Sequence, residues 1–77
     1  VLATRAWKED FMLIELEREE DGRWIAEIPA LPGAMAYGPS RSEALAKVEA
    51  LVLRILADRL ENGEDAPELD SVFTVAA

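Results

Sequence analysis

The stretch from Ser40 to Gly63 constrains this chain more than any other part of it. Ser40 is followed three positions later by Glu43, the spacing at which a hydroxyl and a carboxylate can satisfy two orphan backbone groups at a helix start. The spacing predicts a helix from Arg41 to about Asn62, capped by Gly63 and barred from continuing by Pro67, ~33 Å long at the usual rise per residue. On a helical wheel Ala44, Leu45, Val48, Leu51, Val52, Ile55 and Leu56 form one broad apolar stripe, expected to lie on a sheet. A second stripe, Ala46, Ala50, Leu53, Ala57 and Leu60, recurs at spacings of four, three, four and three, the rhythm of helix pairing. Leu53 and Leu60 make it a candidate oligomer interface. The alternative is that its alanines are good helix formers on a wet face.

The residues before the helix alternate at the period of a strand. From Phe11 to Arg18, Met12, Ile14 and Leu16 fall on one side and Leu13, Glu15 and Glu17 on the other. Asp21-Gly22 suits a tight turn, and from Arg23 to Ile28 the alternation resumes with Trp24, Ala26 and Ile28 facing one way. An antiparallel hairpin is expected. Pro29-Ala30-Leu31-Pro32-Gly33 lacks two backbone donors and reads as a stiff loop. Ala34 to Tyr37 is a candidate third strand, closed by Gly38-Pro39, with Gly33 and Gly38 both read as turn glycines. After the helix and an acidic loop, Ser71 to Ala76 alternates again and is expected to form a final strand, the helix serving as a right-handed crossover. The expected fold is therefore α+β, in the order β-β-β-α-β, with residues 11–77 as one domain and residues 1–10 as a leader. The chain begins at Val1 rather than methionine, so no function is attached to that leader, Trp7 included.

Composition removes several chemistries. The 77 residues contain no cysteine and no histidine, so disulfides, thiol nucleophiles, imidazole bases and zinc sites of the usual kind are excluded. A small domain without disulfides fits a reducing cytoplasm. The most apolar stretch, Val48 to Leu60, is broken by Glu49, Arg54, Asp58 and Arg59, too short for a ~20-residue membrane span. A formal net charge of -8 repels a phosphate backbone, so direct nucleic-acid binding is not expected. Acidity on this scale serves either solubility or the matching of a basic partner.

No catalytic constellation emerges. Ser40 is better explained as a helix cap, and Glu15, Glu17, Glu19, Glu20 and Asp21 form a charged run at a hairpin end. Glu15 and Glu17 share a strand face, the weakest form of a two-metal nuclease site, with third and fourth ligands missing. Gly33 and Gly38 lack the lysine and hydroxyl of a nucleotide loop. Neither an enzyme activity, a metal nor a cofactor is expected.

The ordered series Asp21-Gly22-Arg23-Trp24-Ile25-Ala26-Glu27-Ile28-Pro29-Ala30-Leu31-Pro32-Gly33-Ala34, then Tyr37-Gly38 and Ser40 with Glu43-Ala44, resembles the HicB-like antitoxins over about residues 11–67. The resemblance implies a partial ribonuclease-H-like fold without that superfamily's acidic catalytic set. It also implies a partner, a small basic HicA-like toxin that cleaves mRNA and whose active site the antitoxin covers. Pro29, Leu31, Pro32 and Tyr37 are the expected partner contacts, and a homo-oligomer of at least two copies is expected. Many HicB proteins continue into a DNA-binding domain, whereas this sequence stops at Ala77, which puts operator binding in doubt. The family often has a cysteine where Ala34 stands, a change without consequence if the residue only packs. A stand-alone oligomeric binding domain of the same fold is the alternative.

Overall fold

The computed structural model describes residues 12–70 and 72–76. Three strands, β1 (Glu15–Arg18), β2 (Trp24–Glu27) and β3 (Met35–Gly38), form an antiparallel sheet in sequence order, and one helix, α1 (Arg41–Glu61), follows. A 3₁₀ turn at Pro67–Leu69 comes next. The small α+β fold expected from the periodicities is the one observed, with one long helix laid on the sheet. The leader, including Trp7, lies outside the described residues, as do Phe11 and Ser71.

Each connection follows from its residues. Gly22 N–H donates to the Glu19 carbonyl at 3.0 Å and Glu19 N–H to the Arg23 carbonyl at 2.7 Å, while Gly22 has φ of 92°. This is a three-residue hairpin loop, a turn ending in a left-handed glycine, rather than a two-residue Asp-Gly turn. The Arg23 N–H that such a loop frees is taken up by Asp21 Oδ1 at 3.0 Å. The Pro-rich loop is two turns in succession: Leu31 N–H donates to the Ile28 carbonyl and Ala34 N–H to the Leu31 carbonyl, both at 3.0 Å. In the second, Pro32 precedes Gly33 at φ 88°, the residue order that a type II turn demands.

The ends of α1 match their signals. Glu43 N–H donates to Ser40 Oγ at 3.2 Å. The reciprocal half differs from a full capping box, since the Glu43 carboxylate accepts from the Ser40 hydroxyl at 3.4 Å. At the other end Glu64 N–H reaches the Arg59 carbonyl at 2.8 Å and Gly63 N–H the Leu60 carbonyl at 3.1 Å. With Gly63 at φ 76°, that pair of bonds is a Schellman cap.

One face of the sheet and one face of α1 enclose the core: Ala26, Ile28, Leu31, Ala34, Ala44, Val48, Val52 and Leu56 are buried. Met12, Ile14, Leu16 and Trp24 pack against it as the alternation required, and so does Ile55. Leu45 and Leu51 are half-buried at its margin. Ala66 and Leu69 complete the cover, held beside the helix by Arg59 Nη1, which lies 3.3 Å from both carboxylate oxygens of Glu68.

Three expectations need correction. Residues 72–76 form no strand. Alternation says only which side chains would share a face, and a strand also needs an edge to bond. Here the first free donors are spent locally, with Val72 and Phe73 N–H both directed to the Leu69 carbonyl, and Val72, Phe73 and Val75 stand exposed. Gly38 is not a turn glycine but a residue of β3 with φ outside the left-handed region. A Cβ there would meet the Ala44 backbone nitrogen at 2.6 Å, so glycine is required because the first turn of α1 crosses directly over the strand. Leu31, read as a surface contact, is 2% exposed and belongs to the core.

Candidate functional site

The pairing register decides what the open face of the sheet presents. Leu16, Ala26 and Ala36 stand opposite one another on the core side. The next positions, pointing the other way, form two cross-strand rows, Glu17, Ile25 and Tyr37, and then Glu15, Glu27 and Met35. This outer face therefore carries three carboxylates toward β1 and an aromatic ring and a thioether on β3. Met35 is 47% and Tyr37 40% exposed, and Ile25, between Tyr37 and Glu17, is half-buried. Beyond the described end of β1, Leu13 is also exposed.

The rim at the hairpin end is preset. The Arg23 guanidinium lies 4.7 Å from the centroid of the Tyr37 ring, a cation–π contact, and its Nε donates to Asp21 Oδ2 at 2.8 Å. Asp21 is held below its ordinary value of 3.8, chiefly by the hydrogen bond from the Arg23 backbone N–H and further by the Arg23 side chain. Tyr37 is thus fixed from one side and open on the other. An open hollow of about 450 Å³ beside this rim is lined by Glu17, Arg18, Glu19, Glu20 and Asp21.

Of the expected partner contacts, the structure brings Tyr37 to this face and leaves Pro29 and Pro32 exposed on the loop before β3. Leu31, turned inward between the two prolines, supports the loop instead of forming its contact surface. Met35 and Glu27, which the register sets on this face beside Glu15 and Glu17, were not singled out from the sequence. Strand alternation could have found Met35, because Ala34 and Ala36 flank it on the opposite face.

The second stripe of α1 lies away from the sheet. Ala46, Leu53, Ala57 and Leu60 are exposed and Ala50 is half-buried. Ser40 and Ser42 hydroxyls are 3.3 Å apart at the helix start, with Ser40 occupied by the cap. Among the described residues, no group of three or more aspartates and glutamates gathers closely enough to hold a metal ion, and no helix is long and apolar enough to cross a membrane.

Comparison with known proteins adds one relative. The chain is similar to the UPF0150 protein Ta0767 of Thermoplasma acidophilum, 27% identical over 52 residues, covering 68% of this chain and 75% of that protein. No family model matches the chain, and no solved structure matches it.

Proposed function

We propose that this chain is a protein-binding antitoxin of a type II toxin–antitoxin pair, which neutralises a small basic HicA-like mRNA-cleaving toxin by covering its active site. The observation that carries the reading is the outer sheet face, where Glu15, Glu17 and Glu27 lie in rows with Ile25, Met35 and Tyr37. A ribonuclease binds phosphates through cationic side chains. A surface of exposed carboxylates competes for those cations, and an adjoining apolar and aromatic patch adds contacts that outlast the encounter. The HicB-like residue series from Asp21 to Ala44 supports the same reading. In it the chain is not an enzyme, takes no cofactor, binds no nucleic acid directly and works in the cytoplasm, where its target cleaves mRNA.

The test mixes the purified protein with the product of the adjacent reading frame and follows RNA cleavage. Excess protein should abolish cleavage, and Tyr37→Ala combined with Met35→Ala should weaken inhibition by about tenfold or more, the scale of losing a contact of 1.4 kcal/mol. Glu15→Lys with Glu17→Lys should chiefly slow association. That effect should fade as salt rises, because screening limits the reach of surface charge to ~8 Å at physiological ionic strength. Undiminished cleavage in excess wild-type protein would refute the antitoxin reading. The second reading, a stand-alone oligomeric binding domain, is favoured by the uncovered apolar stripe of α1.

A further inference from the structure

The outer face of α1 is apolar without being buried: Leu53 is 65% and Leu60 54% exposed. We propose that this face is the seam of an antiparallel, two-fold-symmetric pair of α1 helices contributed by two copies of the chain. The inference does not depend on the antitoxin reading, since it uses the side of the molecule opposite the outer sheet face.

Side-chain size fixes the direction of pairing. From Ala50 to Leu60 the seam alternates alanines with leucines, so a parallel arrangement would set Leu53 on Leu53 and Ala50 on Ala50, and the leucine layers would prop the alanine layers apart. Turned head to tail, Leu53 meets Ala57 of the second copy and Leu60 meets Ala50 of the second copy, and the four layers this makes have the same thickness, with Ala46 beyond the overlap.

Charge selects the same direction independently. Along one flank of the seam, Lys47 and Arg54 precede Asp58 and Glu61, with Glu43 in the first turn lying beyond the stretch that the second copy overlaps. A two-fold axis between antiparallel helices lays this flank against its own copy. Lys47 then faces Glu61 of the second copy, and Arg54 faces Asp58 of the second copy. The two Arg54 side chains approach at the axis, each with its own Asp58 four residues on to offset the repulsion. All four side chains are exposed. The paired seam is about 15 Å long from Ala50 to Leu60, a contact at the small end of specific interfaces, so a dissociation constant in the micromolar range is expected. Pairing through this face leaves both outer sheet faces pointing outward, giving the dimer two partner surfaces.

Sedimentation velocity from about 1 to 100 µM tests the proposal across the range expected for a small interface. The wild-type chain should pass from monomer to dimer, and Leu53→Glu with Leu60→Glu should remain monomeric throughout while melting as the dilute wild type does. Over residues 47–61, Lys47→Glu with Arg54→Glu makes the flank wholly acidic, and Asp58→Lys with Glu61→Lys makes it wholly basic. Each charge variant alone should dimerise roughly tenfold or more weakly, and a mixture of the two should form a heterodimer at least as tight as the wild type. A wild-type chain that stays monomeric, a dimer that survives the leucine changes, or a mixture that forms no heterodimer would each overturn the antiparallel seam.

Discussion

The two long faces of α1 are made of nearly the same amino acids and have opposite surroundings. The inner face, Ala44, Val48, Val52 and Leu56, is sealed against the sheet, whereas the outer face holds Leu53 and Leu60 more than half exposed. Apolar periodicity identifies a face that can be buried but does not say what will bury it. A three-stranded sheet has one core face to offer, so it covers a single side of the helix. The other side is left for a partner or for water.

Adjacent residues give the sharpest way to break this comparison. Val52 is 3% exposed and Leu53 65%. Val52→Asp places an unpaired charge in the core and should cost more than about 4 kcal/mol, enough to unfold a chain whose expected total is only a few kcal/mol at this size. Leu53→Asp should shift the melting of dilute protein by no more than a surface change does, within about 0.5 kcal/mol. Thermal denaturation followed by circular dichroism separates the two. Similar losses at both positions would show that the outer face is folded against something within the single chain.

A smaller but distinct effect tests how α1 is seated. Gly38→Ala drives a methyl group into the Ala44 backbone, which cannot rotate aside as a side chain would. A loss of about 1–3 kcal/mol is expected, the usual range for overpacking a close contact, measurable by urea unfolding. Gly33→Ala is a useful companion because open space surrounds its missing side chain and only the φ of 88° opposes it. It should therefore fail through the turn rather than through the helix contact.

The smallest effect belongs to the hairpin rim, which contributes no core. Asp21 has a folded-state pKa below 3.8, so its hydrogen bonds favour the folded state above that value and the contribution is lost as pH falls through the lower folded value. Asp21→Asn should remove this part of the acid dependence and leave melting at neutral pH nearly unchanged, because the group is fully exposed and screened by water. Acid titration of the two proteins, followed by amide chemical shifts near Arg23, makes the measurement.

What the sequence disclosed was mostly what neighbouring residues decide among themselves. Ser40, Glu43 and Gly63 marked the ends of α1, and alternation put Leu16, Trp24, Ala26 and Ile28 on the correct side of the sheet. Asp21-Gly22 marked the hairpin although not its loop length, because Gly22 alone carries the left-handed conformation. The misread positions depend on contacts between distant residues. Leu31 sits in a loop that looks exposed, yet two consecutive turns fold it back over the core. Gly38 reads as a turn glycine, while its real constraint is the backbone of Ala44. The segment at residues 72–76 has a strand's pattern and bonds to no strand among the described residues. For the candidate site, Tyr37 was legible as an exposed aromatic, but the rows joining it to Ile25 and Glu17 required the register.

The unbroken order β1, β2, β3 also has a kinetic consequence. Every strand bonds to its neighbour in sequence, so the sheet can close through short loops without waiting for a distant segment, and folding should finish within milliseconds or faster. On the ribosome the same order runs in time: the three strands emerge ahead of α1, and Ala26, Ile28 and Leu31 remain wet until Val48, Val52 and Leu56 arrive to cover them. The interval between those two events, rather than the search for the sheet, is when the young chain is most exposed to mispairing.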